Sequence, residues 1–166
     1  KIRRAICGAA AAVAVCFTAA GINTKPVYAA DMGAVYGIFE HGVGWSAYHG
    51  DQTAERAGNG TYVTAIRASL SGQPEGMSGT LETGMPLEAI RMELTGQLKD
   101  HYDVYYSVFQ NGSWTAPVKN GETAGTEGQG LRVDGIWVTV TEKDAAAPEG
   151  PKNGGIDPTR PMVALT

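Results

Sequence analysis

Cysteine is nearly missing from this sequence. The two cysteines, Cys7 and Cys16, both lie close to its start, and the chain after Ala29 contains none. Disulfide bonds, cysteine-ligated metal sites and cysteine nucleophiles are therefore excluded for the chain after Ala29. A chain of this size without disulfides depends on its hydrophobic core for stability.

Positive charge is also scarce. The sequence holds 13 lysines and arginines against 17 acidic residues. Residues 1–29 contain four basic residues, Lys1, Arg3, Arg4 and Lys25, and no acidic residue. The remainder therefore has 9 basic and 17 acidic residues and a net charge of −8. An acidic chain without a basic cluster is a poor partner for nucleic acid or for an anionic membrane. We therefore expect neither partner for this remainder.

One long apolar run is present, from Ala5 to Ile22, and alanine dominates it. Basic residues precede the run and Val27-Tyr28-Ala29 follows it, which is the order of a secretory signal peptide. The alternative is an uncleaved membrane anchor, because the run has 18 residues, but alanine is only weakly apolar. The pattern predicts a signal peptide over residues 1–29, cleavage after Ala29, and a secreted or cell-surface protein.

Glycine is abundant, with 23 residues, and it accompanies alternating apolar patterns typical of an all-β domain. Three stretches, 65–72, 89–96 and 135–142, repeat nearly the same pattern. Successive side chains of a strand point to opposite faces. Each copy therefore places an apolar triplet on one face, which predicts three half-buried strands: Ile66/Ala68/Leu70, Ile90/Met92/Leu94 and Ile136/Val138/Val140.

A second motif precedes the first and the third of these strands. Residues 36–45 and 106–114 both run from a tyrosine to a tryptophan, with Val43 as one extra residue in the first copy. Each complete unit is therefore predicted to be a Trp hairpin followed by an Ile strand. The middle unit is about half length and lacks the hairpin. Three units predict a pseudo-threefold β-prism or a trefoil-like arrangement over residues 30–142.

The composition changes at Lys143. Residues 143–166 contain four of the eight prolines, which predicts a flexible or extended tail or linker. The apolar segment Met162–Leu165 either docks on the domain or begins a further element. Since a missing hairpin leaves a strand edge unpaired, we expect this segment or a second chain to cover the middle unit.

These motifs resemble the ChW repeat, the clostridial hydrophobic repeat with its characteristic tryptophan. The third unit is most similar, through residues 94–98, 101–106 and 120–128, and the resemblance extends from about Val35 to Thr141. One departure is a serine before Trp114, where the family has glycine. The resemblance implies a secreted or surface-displayed protein of Gram-positive bacteria that binds carbohydrate or other proteins in adhesion. It supplies no catalytic residues.

Trp45 and Trp114 are the main candidates for ligand contact. Each is either an aromatic platform for a sugar ring, with Tyr48, Asn120 and Glu122 as polar or aromatic neighbours, or an anchor that packs its hairpin on the Ile strands. The anchor is the favoured interpretation, because a large ring supplies apolar area to a glycine-rich unit.

Trp137 is a further binding candidate of a different kind. It stands where the other two Ile strands have Arg67 and Arg91, on the face opposite the apolar triplets. Trp137 is therefore predicted to be either exposed or covered by the tail.

The histidines offer only weak signs of catalysis or metal binding. His41 and His49 are eight residues apart, and Ser46, His49 and Asp51 could form a triad. Neither spacing is a recognised ligand pattern, and such residues are common in turns. We expect no metal site, no cofactor and no enzymatic activity.

The acidic residues also give no sign of a catalytic pair. Glu88 and Asp134 hold equivalent positions in the repeat, which favours a structural role such as bonding a turn. The predicted function is a non-catalytic binding module for carbohydrate or a surface protein. The alternatives are a structural or assembly spacer without a ligand, and an accessory domain of a cell-wall or polysaccharide-degrading enzyme. Self-association stays open.

Overall fold

The computed structural model describes residues 12–17, 33–70 and 84–151. These residues form a mostly β structure with one short helix, which confirms the predicted all-β class. The elements in chain order are β1 (Ala12–Phe17), β2 (Ala34–Glu40), β3 (Gly44–Trp45), β4 (Glu55–Arg56), β5 (Val63–Leu70), β6 (Ala89–Leu94), α1 (Leu98–His101), β7 (Tyr102–Gln110), β8 (Ser113–Trp114), β9 (Val118–Lys119), β10 (Ala124–Gly125) and β11 (Val133–Glu142). No helix in these residues is long and apolar enough to cross a membrane.

Hydrogen bonds group the strands into three sheets. In the first sheet, β2 pairs with β3 and β5. In the second, β11 pairs with β4 and β7, and β7 also pairs with β8 and β9. In the third, β6 lies between β1 and β10. Each sheet therefore contains one of the three predicted Ile strands, namely β5, β6 or β11.

The predicted phase of the Ile strands is confirmed. Every member of the three apolar triplets is buried within one hydrophobic core. The strands that precede them in the first and third units contribute to the same core, with Ile38 opposite Ile66 and Val108 opposite Ile136. Burying a side chain of this size contributes about 1.5–3 kcal/mol, so this face supplies the main stabilisation of the fold.

Short turns determine where the two hairpin tryptophans lie. Between β7 and β8, Asn111 and Gly112 adopt φ values of 51° and 79°, the left-handed conformation that an Asn-Gly hairpin turn requires. The turn between β2 and β3 is one residue longer and contains Val43. Both turns bring a tryptophan opposite a phenylalanine, with Trp45 paired to Phe39 and Trp114 to Phe109.

The edge of the middle unit is covered by a strand that the sequence did not predict. β1 pairs in parallel with β6, from Ala12 opposite Ala89 to Phe17 opposite Leu94, and it also lies beside β5. In the full sequence residues 12–17 occupy this edge, and cover by the tail or a second chain stays a prediction for the chain after Ala29. The segment Met162–Leu165 lies outside the described residues.

Candidate functional site

Both hairpin tryptophans pack on their own hairpins, outside the central core. The ring of Trp45 meets Phe39 edge-to-face, with centroids 5.3 Å apart and planes at 77°. Trp114 meets Phe109 in the same way, at 5.4 Å and 71°. Both indoles are half-buried. Each tryptophan thus combines an anchoring contact with a partly accessible ring.

In the first unit, two aromatic rings flank an arginine. The Arg67 guanidinium lies 4.8 Å from the Trp45 ring centroid and 4.0 Å from that of Tyr48. It also donates a hydrogen bond to the backbone carbonyl of Ser46. Tyr48 is 44% exposed, and Trp45 and Arg67 are half-buried. We call these three residues the aromatic–arginine surface.

Gly37 makes room for this arrangement. It pairs with Arg67 across β2 and β5. A Cβ atom at Gly37 would lie 3.2 Å from Arg67 Nε and 3.1 Å from the Ala47 carbonyl oxygen. A side chain here would therefore displace Arg67 or the segment that carries Tyr48.

The third unit lacks a matching surface because two of its residues differ. Tyr48 stands three residues after Trp45, whereas Pro117 stands three residues after Trp114. Trp137 occupies the position of Arg67, and it is 3% exposed, with its indole N–H donating to the Gln52 carbonyl at 3.0 Å. The exposed alternative for Trp137 was therefore wrong, and a turn of the first unit contacts its indole, while most of the tail lies outside the described residues.

A buried acid near this surface was missed by sequence reasoning. The Glu55 side chain is 6% exposed, and its Oε1 lies 3.3 Å from His49 Nε2. Its other oxygen has no hydrogen-bond partner among the described residues. Burial raises the pKa of Glu55 to about 7, and Glu40 adds to the rise, although Ser46 and Arg67 oppose it. Burial also lowers the pKa of His49.

A sequence signal for Glu55 did exist. Glu55 of β4 pairs with Ile136, while Ala124 of β10 holds the corresponding place opposite Ile90. The repeat alignment therefore puts a glutamate where the other unit has a small apolar residue. A glutamate in place of alanine in a strand that faces the core predicts a buried ionisable side chain.

The possible triad of Ser46, His49 and Asp51 does not assemble. The Ser46 hydroxyl accepts from the Ile38 N–H at 3.0 Å and donates to the Ala47 carbonyl. Asp51 accepts from backbone N–H groups of the first and third units and from a threonine hydroxyl, while His49 meets Glu55. In the described part of the chain, no three His, Cys, Asp or Glu side chains are grouped to hold a metal ion.

Asn120 and Glu122 lie in a turn of the third unit, where their side chains accept hydrogen bonds from backbone N–H groups. Asn120 accepts from the Val104 N–H at 3.1 Å, and Glu122 accepts from the Lys119 N–H at 2.9 Å. Asn120 also borders a polar cleft of about 700 Å³, lined further by Glu93, Leu94, Thr95, Gly96, Lys99, Asp100, Lys143 and Asp144. None of the described residues that line this cleft is aromatic. The structure therefore does not bring Asn120 and Glu122 together with Trp45 and Tyr48 as one site.

Asp103 fixes one side of this cleft. Its fully buried carboxylate binds Lys143 Nζ at 2.7 Å, Asn120 Nδ2 at 2.7 Å and Lys119 Nζ at 3.3 Å. Desolvation acts to raise the pKa of Asp103, but these bonds and the Asp144 N–H outweigh it and hold the pKa far below its usual range. The start of the proline-rich tail is thus tied to β7.

Glu88 has the structural role expected from its repeat position. Its carboxylate accepts from the Gly128 N–H at 2.7 Å and so bonds a glycine-rich turn. Asp134, its equivalent, forms an ion pair with Arg132 at 2.8 Å.

Comparison with known proteins supports one part of this account. The family model described as Clostridial hydrophobic W matches residues 109–142. Neither the curated proteins nor the solved structures gave a match to this chain. The matched residues run from Phe109, the partner of Trp114, to the end of β11. The predicted resemblance to the ChW repeat is therefore confirmed, in the part of the third unit that carries its tryptophan and its Ile strand.

Proposed function

We propose that this protein is a secreted or cell-surface, non-catalytic binding module that holds a carbohydrate ligand on the aromatic–arginine surface. The observation that carries the proposal is the position of the Arg67 guanidinium between the rings of Trp45 and Tyr48. Two rings and a fixed cation occur together there, partly open to solvent.

The chemistry of these groups suits a sugar. Aromatic faces offer apolar area to the C–H faces of a pyranose ring, and the Tyr48 hydroxyl is a polar group at the same place. The guanidinium presents several N–H donors in a fixed plane, which suits hydroxyl or carboxylate oxygens. Arg67 carries the positive charge of this surface, so it is the group that would favour an acidic sugar at this position.

A surface protein is the second candidate ligand. Val43 at the hairpin turn is 57% exposed and Tyr48 is 44% exposed, so apolar side chains of the first unit are accessible. Tryptophan, tyrosine and arginine are also the residues that most often dominate protein–protein binding energy. Both candidates use the same three side chains, and they differ in the partner alone.

The finer architecture forms part of this proposal. We infer a pseudo-threefold, prism-like arrangement in which the three sheets face one another around the common core. Support comes from the neighbours of the sheets, since β11 lies beside β2, β6 beside β7 and β1 beside β5. In such an arrangement, only the first unit presents the full set of tryptophan, tyrosine and arginine.

A glycan-array screen tests the proposal. The intact protein is expected to bind, and Tyr48→Ala is expected to lose the signal. Tyr62→Ala is the matched control, because this tyrosine belongs to the first unit but stacks on His41, with ring centroids 4.7 Å apart. Equal signals from the two variants would contradict the assigned surface. No binding by the intact protein to any glycan would favour the protein ligand or the spacer.

A further inference from the structure

The middle unit has an incomplete sheet. In the first and third units, each Ile strand pairs antiparallel with the tyrosine-containing strand of its own hairpin, β2 with β5 and β7 with β11. The middle strand β6 has no such partner among the described residues, and β1 takes that place in the parallel direction. The position beside β6 is therefore filled by a parallel strand from outside the repeat, where the other two units have an antiparallel strand of their own.

The cover that β1 provides protects buried groups. Ile90 and Met92 of β6 are fully buried, and Leu94 is 5% exposed. An unpaired edge here would leave backbone N–H and C=O groups without partners and would invite another strand to pair. β6 therefore needs a neighbour on this side.

β1 lies within the segment predicted to be removed as a signal peptide. We propose that the edge of β6 at Ala89–Leu94 is a strand-acceptor slot, filled by β1 while residues 1–29 are attached and by Met162–Leu165 of the same chain once they have been removed. This inference rests on the secretion included in the proposed function. It goes beyond ligand binding, because it concerns how the exported chain completes its fold.

The tail has the composition and the reach to fill the slot. Met162–Leu165 is an apolar segment in an otherwise polar and proline-rich stretch. The tail starts at Lys143 and Asp144, which border the same cleft as Leu94 at the end of β6. The eleven steps from Pro151 to Met162 cover up to about 36 Å when extended, comparable to the diameter of a small domain.

A segment of the same chain is favoured over a second copy. A tethered strand reaches its slot at an effective concentration of about a millimolar, far above that of a second protein molecule. Two copies that each carry a net charge of −8 after residue 29 also repel each other. Both effects favour pairing within one chain.

Hydrogen exchange of the β6 amides tests the proposal, using chains 1–166 and 30–166. Val163→Pro removes a backbone donor from the tail segment, and Asn153→Pro is the matched control outside it. In chain 30–166, Val163→Pro is expected to abolish protection of the β6 amides that face the slot, which are those on the side away from β10, whereas Asn153→Pro preserves it. In chain 1–166, neither change should matter, because β1 fills the slot.

A second arm uses the full chain and does not require chain 30–166 to fold. Val15→Pro should disrupt β1 and leave β6 protected through the tail, and the double variant Val15→Pro/Val163→Pro should lose that protection. Persistent protection in the double variant would overturn the proposal. A dimer of chain 30–166 by light scattering, with β6 protected regardless of Val163→Pro, would assign the slot to a second copy and would also overturn it.

Discussion

The substitution Glu55→Gln gives a sharp test of how the first unit is built. The carboxyl is buried and its Oε2 has no partner among the described residues, so the folded state favours the neutral acid. Burial raises its pKa from 4.5 to about 7. A raised acid pKa means that the folded protein loses stability as pH rises from 4.5 to 7, and that the loss is complete above this window.

The magnitude follows from the size of the pKa change. Each pKa unit corresponds to 1.36 kcal/mol, so a rise from 4.5 to about 7 is expected to cost on the order of 3 kcal/mol of unfolding free energy at pH 8. Glutamine keeps the shape without the charge. We therefore expect Glu55→Gln to match the unmodified protein near pH 4.5 and to exceed its stability at pH 8.

Urea unfolding at a series of pH values between 4.5 and 8 is the assay. His49 acts in the opposite sense, because its lowered pKa removes stability as pH falls through the lower part of this window. The double variant Glu55→Gln/His49→Gln isolates that contribution, and Glu142→Gln, an exposed acid at the end of β11, is the control. Identical pH slopes for the unmodified protein and Glu55→Gln would refute the reasoning.

Three further substitutions address the core and its supports. Ile90→Ala is expected to lower the unfolding free energy by about 2–5 kcal/mol. Glu93→Ala, on the exposed face of the same strand, is expected to lower it by less than about 0.5 kcal/mol. Equal denaturant midpoints for the two variants would contradict the strand phase. Gly135→Ala would place a Cβ atom 2.6 Å from the Glu55 carbonyl oxygen. It is expected to lower the unfolding free energy by about 1–3 kcal/mol. An unchanged denaturant midpoint would show that β4 moves away from the added methyl group without cost. Asp103→Ala removes the acceptor shared by Lys119, Lys143 and Asn120 and should cost about 1–3 kcal/mol. An unchanged midpoint would contradict the structural role of Asp103.

The strand phase could be predicted because it follows from local alternation. An apolar triplet at every second residue has one favourable placement on a half-buried sheet, and the structure buries all three triplets. The two hairpins were predictable for a related reason, since glycine or Asn-Gly turns between a Tyr-containing strand and a tryptophan determine their own geometry.

The errors concern contacts between units, which no local pattern encodes. Trp137 is buried, and its indole N–H donates to the carbonyl of Gln52, which is distant in sequence. The pairing of β1 with β6 likewise joins segments that are distant in sequence, and no local pattern predicts it. The Arg67 contacts with Trp45 and Tyr48 also arise only when β5 pairs with β2.

The proposed binding surface is tested most directly by titrating a glycan selected on the array into the intact protein and into Tyr48→Ala, with the melting temperature of both recorded. Because Tyr48 is 44% exposed, its removal is expected to leave the melting temperature nearly unchanged. Loss of a stacking ring should weaken the affinity by about tenfold. Unchanged affinity in a variant that melts at the same temperature would contradict the assignment of the aromatic–arginine surface as the binding site.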